Sequence, residues 1–279
     1  MKRVAAIHDM SGFGRCSLTV AIPVISAMGM QCCPLPTAYL STHTGDFTGY
    51  TFKDLTSEIM PVSDHWASLN LQFDAVYSGF LASVRQIDLV RSFIERFRNE
   101  NTIALVDPVM GDRGVKYPIY TEEMCRNMSV LVDAADLITP NYTEAAILLG
   151  ESYKNRPMDR IGVEKWMTRL SGEGRRSVIL TGVCFDKESI GASALDKKTG
   201  EISHVQTKRV PGEYHGTGDL FSSVLLGSLL QGDSLNSACV TAVEFVRDCT
   251  ELAEQECLPP REGVPFEALL EKLMRGNED

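Results

Sequence analysis

No apolar run in the sequence approaches membrane-spanning length, so a helical membrane anchor is not expected. The opening MKRVAAIHDM breaks its apolar stretch at His8 and Asp9, and reads as a first strand and not as a signal peptide. A basic stripe is lacking too. The 27 Lys and Arg stand against 37 Asp and Glu, a formal charge of −10, which argues against a nucleic-acid or anionic-membrane surface. The 8 cysteines include no CxxC and no pair at zinc-finger spacing. Cys16, Cys239 and Cys249 fall in apolar helical patterns, where cysteine acts as a small hydrophobe, and Cys184 reads the same way. A reducing, cytoplasmic setting follows. Neither a linker nor an internal repeat interrupts the chain, which predicts a single domain over 1–279.

What is present is an alternation of short β-rich runs and longer helical patterns. Strands are expected at Val4–Ile7, Gln31–Leu35, Ala75–Tyr77, Ile103–Val106, Leu137–Thr139 and Val178–Thr181. Between them, residues such as Val84, Ile87, Val90, Ile94 and Phe97 recur at helical spacing. Residues 191–209 read as a hairpin turning at Lys198–Gly200. A helix follows Ser234 with Leu235, Ala238, Cys239, Ala242, Val246 and Cys249 on one stripe. The alternation predicts an α/β fold, a mostly parallel sheet with helices on both faces. In such sheets the ligand crevice lies outside the carboxyl ends of the strands, where Asp9, Ser78, Asp107, Asn141 and Gly182 stand.

The most informative stretch is HGTGDLFSSVLLGSLLQG, His215 to Gly232. Gly216 and Gly218 can adopt angles closed to other residues, letting consecutive N–H groups point into one concavity at a helix start that attracts anions. Asp219 is the side chain there able to take a proton. A plainer reading makes GTGD a capped turn. The helix behind it favours a site, because it carries no charge between Asp219 and Asp233 and is expected to be buried on nearly every side. In ITPNYTEAAILLG, Asn141 and Glu144 stand three apart at a helix start, suited either to Mg²⁺, directly or through water, or to a capping box. In LVDPVMGDRG, Asp107 follows a strand and Asp112 lies in a glycine-rich loop able to order over a substrate. Two acids in one crevice repel an anionic nucleotide unless a cation lies between them.

These motifs, in order along nearly the whole chain, resemble the ribokinase-like small-molecule kinases and within them the vitamin B6 kinases: SGFGRCS, STHTGDF, SGF, DPVMGD, TPNYTEA, TG and GTGDLF. The resemblance implies a ribokinase-like three-layer sandwich and ATP-dependent phosphorylation of a vitamer's 5′-hydroxymethyl group. Asp219 would be the base, and the N–H groups of Gly216, Thr217 and Gly218 the anion hole. Asp107, Asn141 and Glu144 would position Mg²⁺ and the phosphates, with Thr139 near a monovalent cation (K⁺ or Na⁺). Thr181, Gly182 and Asp112 would lie about the nucleotide. Asp9, His43, Thr44 and Phe80 would contact the pyridine ring. Relatives of this kind are commonly homodimers. Two departures stand out: many relatives have Ser where this chain has Asp9, and Tyr where it has Phe80. DMSGFGRCS also resembles the hydroxymethylpyrimidine kinases, which often carry Cys at the position of Asp219. A vitamer-binding regulator without turnover is the non-enzymatic alternative.

Overall fold

The structure, a computed structural model, describes residues 1–274. The chain divides into two compact units, Met1–Val76 with Val210–Asp279, and Tyr77–Arg209. In chain order the elements are β1 (Arg3–Ser11), α1 (Leu18–Ala27), β2 (Gln31–Leu40), β3 (Phe52–Asp54), α2 (Thr56–Ser68) and β4 (Ala75–Ser78). Next come α3 (Val84–Phe97), β5 (Ile103–Val106), β6 (Gly111–Asp112), β7 (Val115–Lys116), α4 (Glu122–Asp133), β8 (Leu137–Ile138), α5 (Tyr142–Leu149), α6 (Arg160–Leu170), β9 (Ser177–Val183), β10 (Ser189–Leu195) and β11 (Ile202–Lys208). Two long helices follow, α7 (Thr217–Gln231) and α8 (Leu235–Gln255), then 3₁₀ turns at Pro260–Glu262 and Phe266–Leu273. Nine strands follow the order β11-β10-β9-β8-β5-β4-β1-β2-β3. The ladders β1–β2, β5–β8 and β8–β9 are parallel, as the βα alternation requires, whereas β3, β10 and β11 pair antiparallel.

In the first unit the core is built on β1, where Val4, Ala5, Ala6 and Ile7 are fully buried, and on α7, which buries ten residues. Each fully buried Leu or Phe there contributes roughly 1.5–3 kcal/mol. Ser222, Ser223 and Gly227 keep part of α7 thin, and a Cβ added at Gly227 would meet the Met28 sulfur at 2.2 Å. Ser234 caps α8 by accepting from the Ser237 N–H, and Ala238, Cys239, Ala242 and Cys249 are buried as the stripe predicts. Val246 is only half-buried, Val243 and Phe245 filling that side instead.

The strand β2 runs to Leu40, five residues past the expected end. Pro34 and Pro36 look like breakers, but β3 pairs only with Ala38–Leu40, so both prolines sit on a stretch of open edge where a missing N–H breaks no second ladder. The β1–β2 register shifts between His8 and Met10, which are opposite Pro36 and Tyr39. Two residues of β2, Thr37 and Ala38, thus stand opposite the single residue Asp9, so the bulge is on β2.

In the second unit Ser83 caps α3 and the expected apolar face is buried at Ile87, Val90, Ile94 and Phe97. The hairpin expected at 191–209 is present as β10 and β11, joined across residues 196–201. The loop expected around Asp112 is a small hairpin instead, with Gly111 opposite Lys116 and Asp112 opposite Val115. Its two central residues, Arg113 and Gly114, have φ of 52° and 80°, the left-handed pair that a two-residue I′ turn demands. Among the described residues no helix is long and apolar enough to cross a membrane.

Candidate active site

In the first unit the site is assembled at the start of α7. Its N-cap is Gly216, at φ 75°, so no side chain caps the first turn. A Cβ at 216 would come within 1.8 Å of the Arg15 carbonyl oxygen, so the close approach of the two loops depends on glycine. Asp219 is therefore not the cap that its Gly-rich context also allowed; it lies one turn in. Its Oδ2 accepts from the Ser17 backbone N–H at 2.8 Å. Burial pushes its pKa from 3.8 to about 7, and the nearby Asp9 charge adds to the rise while the Ser17 N–H opposes it. His8 Nδ1 lies 3.8 Å from Asp219 Oδ1. Burial holds His8 down near about 3, so this is a neutral ring against a carboxyl group and not an ion pair.

Asp9 is buried on β1, opposite the β2 bulge. One oxygen accepts from the Ser17 hydroxyl at 2.6 Å and the other from the Ser11 hydroxyl at 2.9 Å. Burial pushes its carboxyl up, and the two hydroxyls resist. His43 is buried too. Gly45 N–H donates to its Nδ1, so Nε2 carries the hydrogen and donates to the Arg261 carbonyl at 2.6 Å. Burial lowers its pKa, keeping the ring neutral. Thr44 is exposed beside it. Sequence reasoning passed over a contact that flanks this loop: Asp46 accepts from His215 Nε2 at 2.9 Å, and the ring of His215 lies 5.0 Å from that of His43. It also passed over a strut. Three consecutive carbonyls of the Pro260–Glu262 turn hold the His215 N–H, the His43 ring and the Arg15 N–H in turn. Arg15 and His215 flank the glycines, but nothing in their spacing from residue 260 marks the link.

In the second unit the residues after β5 and β8 converge with the last residues of β9. Asn141 and Glu144 form a capping box on α5: Asn141 Oδ1 accepts from Thr143 and Glu144 N–H, and Glu144 Oε2 accepts from Asn141 N–H. Both residues also hold the hairpin. Glu144 Oε1 accepts from Met110 N–H, Asn141 Nδ2 donates to the Gly111 carbonyl, and Thr143 accepts from Gly114 N–H. Glu144 is buried, and burial plus the Asp107 charge pushes its pKa well up, against the two N–H donors. The groups acting on it are thus two amides and two acids, Asp107 and Asp112. A hydrated divalent cation fits that donor set, because it would relieve the repulsion without stripping its water shell. Among the described residues no three His, Cys, Asp or Glu side chains converge as a direct cage, so the fit is to a cation held partly through water.

Thr181 joins the group through its N–H, which donates to the Pro140 carbonyl, and bridges Asn141 as an isolated parallel pair. Gly182, at φ 69°, is exposed at the end of β9. Thr139 is buried, its N–H on the Val106 carbonyl. Asp112 is half-exposed and lies 3.5 Å from Arg113. Phe80 packs edge-on against Tyr120. Cys184 is half-buried, and burial raises its pKa. Elsewhere in this unit Ser193, His204 and Glu164 line up at 2.8 and 3.3 Å, like a hydrolase series. Ser193 is 0% exposed, so an acyl substrate cannot reach it, and the series serves to satisfy buried polar groups.

A family model described as phosphomethylpyrimidine kinase matches residues 21–258. A provisionally assigned phosphomethylpyrimidine kinase from Bacteroides thetaiotaomicron matches this structure with a TM-score of 0.93 at 39% identity, covering 100% of this chain and 96% of that one. A second crystal form, described as containing pyridoxal, gives 0.91 with 100% and 97% coverage at 39% identity. Pyridoxal kinase from Lactobacillus plantarum gives 0.89 at 30% identity over 98% of this chain and 96% of that one. The pyridoxine/pyridoxal/pyridoxamine kinase of Bordetella avium is 27% identical over 95% of this chain and 92% of its own length.

Proposed function

The chain belongs to the phosphomethylpyrimidine kinase family, and on that footing we propose that it transfers the γ-phosphoryl group of ATP to the 5′-hydroxymethyl oxygen of a B6 vitamer, whether pyridoxal, pyridoxine or pyridoxamine. It is a phosphotransferase with an alcohol as acceptor, and its partners are small molecules. The observation that carries the reading is Asp219, a carboxyl group in the first turn of a buried helix, beside uncapped amides, with its pKa pushed to about 7.

A base with that pKa is half ionised at neutral pH and still strong enough to take a proton from an alcohol as it attacks. Asp219 takes the hydroxyl proton while the oxygen forms its bond to the γ-phosphorus. The bond from that phosphorus to the bridging oxygen breaks, ADP leaves with the electron pair, and the proton on Asp219 passes to solvent. The N–H groups of Gly216, Thr217 and Gly218 supply the positive end of α7 to the charge on the moving group. Asp107, Asn141 and Glu144 would hold Mg²⁺, and Thr139 would lie near a monovalent cation. Bound there, Mg²⁺ would neutralise phosphate charge that the two acids otherwise repel. Thr181, Gly182 and Asp112 flank the nucleotide, and Asp9, His43, Thr44 and Phe80 flank the ring. The whole of 1–279 acts as one catalytic domain, as a homodimer in cytoplasm.

The test is ADP release with each vitamer and with hydroxymethylpyrimidine. Turnover with a vitamer is expected, and Asp219→Ala should lower kcat by roughly 10²–10⁴-fold with little change in the KM for ATP. The description of the matched family favours a second reading, hydroxymethylpyrimidine as acceptor. A kcat/KM higher for that alcohol than for every vitamer would establish it. Vitamer binding without any turnover would leave a regulator.

A further inference from the structure

Ser17 adopts a conformation that serine avoids, and the groups around it say why. Its φ is 51° and its ψ −131°, a left-handed region that glycine enters freely and a residue with a Cβ does not. As the residue before α1 it stands where serine ordinarily caps a helix, yet its side chain makes no cap bond. Its hydroxyl instead donates to Asp9 Oδ1 at 2.6 Å, and its N–H donates to Asp219 Oδ2 at 2.8 Å. Asp9 is itself held from its other side by the Ser11 hydroxyl at 2.9 Å. The result is an ordered series, Ser11 to Asp9 to Ser17 to Asp219, whose last link is made by the Ser17 backbone and not by a side chain.

We infer that Ser17 is the positioning residue for the base: Asp9 holds the Ser17 hydroxyl, this keeps the Ser17 backbone in its unfavourable turn, and the turn aims the N–H that orients Asp219. The inference rests on the reading of Asp219 as base. Glycine at 17 would adopt the turn at no cost but would leave Asp9 without its second hydroxyl. Alanine would carry the cost of a Cβ and lack the bond that offsets it. The hydroxyl is the part of serine that makes the turn stable, and the N–H is the part the base uses.

The experiment measures kcat, KM for ATP and the pH profile of kcat/KM for Ser17→Ala and Ser17→Gly, with thermal unfolding as a check on folding. Alanine should let the turn relax and draw its N–H off Asp219, so kcat should fall about 10-fold or more, while KM for ATP stays near the parent value. Losing a donor to the ionised form raises the base's proton affinity, so the acid limb of the alanine variant should move to higher pH. Glycine, free to hold the turn unaided, should keep more kcat than alanine and an acid limb closer to the parent. That order is the reverse of what a serine merely filling space would give, since alanine would then be the milder change. Alanine matching the parent in kcat and acid limb, or glycine falling below alanine, would overturn the inference. Turnover surviving Asp219→Ala would instead remove the base assignment, a separate failure.

Discussion

Asp219 is a group whose chemistry opposes its own fold, and Asp219→Asn measures by how much. Its pKa rises from 3.8 to about 7, so the folded chain binds that proton more tightly than the unfolded chain does. The stability that follows is full below about pH 4 and is lost as pH rises through about 7. A displacement of about three pH units is worth roughly 4 kcal/mol at most. Between pH 5 and pH 8 the expected loss is roughly 2–3 kcal/mol, the carboxyl being only 15% exposed and little screened. Asparagine does not titrate. It weakens the bond from the Ser17 N–H, an offset of about 1 kcal/mol that is the same at both pH values. Urea unfolding of both proteins at pH 5 and pH 8 should therefore show the parent losing roughly 2–3 kcal/mol relative to the variant as pH rises. Parallel stability curves would refute the reasoning, because they would mean that Asp219 titrates as freely folded as unfolded.

Gly216→Ala should destabilise by roughly 2–4 kcal/mol and depress turnover, since its Cβ would meet the Arg15 carbonyl at 1.8 Å and its φ is 75°; a Tm within a degree of the parent would contradict this. Mg²⁺ alone should raise the Tm, and more at pH 8 than at pH 6, because the cation competes with the proton that burial and Asp107 favour on Glu144. A Tm unmoved by Mg²⁺ at either pH would count against a cation between those acids. Asp9→Ser should shift the ratio of kcat/KM between pyridoxamine and pyridoxal, the positioning loss through Ser17 being common to both and cancelling in the ratio; an unchanged ratio removes Asp9 from vitamer choice. Cys184 should resist alkylation at pH 7, since burial raises its pKa; rapid labelling there, followed by mass spectrometry, would show a thiolate that the surroundings do not favour.

Much of the fold could be read from pattern alone because the buried strands are short apolar runs with turn residues behind them. Ile103–Val106 begins and ends as periodicity predicts, and Val84–Phe97 carries its buried face where the spacing puts it. The miss at β2 arose because proline's cost depends on whether a neighbour needs its N–H, and an edge is a tertiary fact. The hairpin at Asp112 was missed because an Arg-Gly turn requires arginine in a left-handed conformation, which local preference does not suggest. In the candidate site, the acids and glycines stand out in the sequence by type and spacing. The groups that hold them do not, because the Ser17 and His215 N–H groups and the carbonyls of 260–262 are backbone atoms that every residue possesses.

The turn at Pro260–Glu262 fastens parts of the chain that lie far apart in sequence. Its carbonyls grip Arg15, His43 and His215, so three loops of the first unit share one short anchor. The β1–β2 ladder does not involve this turn, so a chain altered there would keep its strand pairing while its glycine loops lose their common seat. A cut at this one turn would therefore loosen all three loops together and leave the sheet standing.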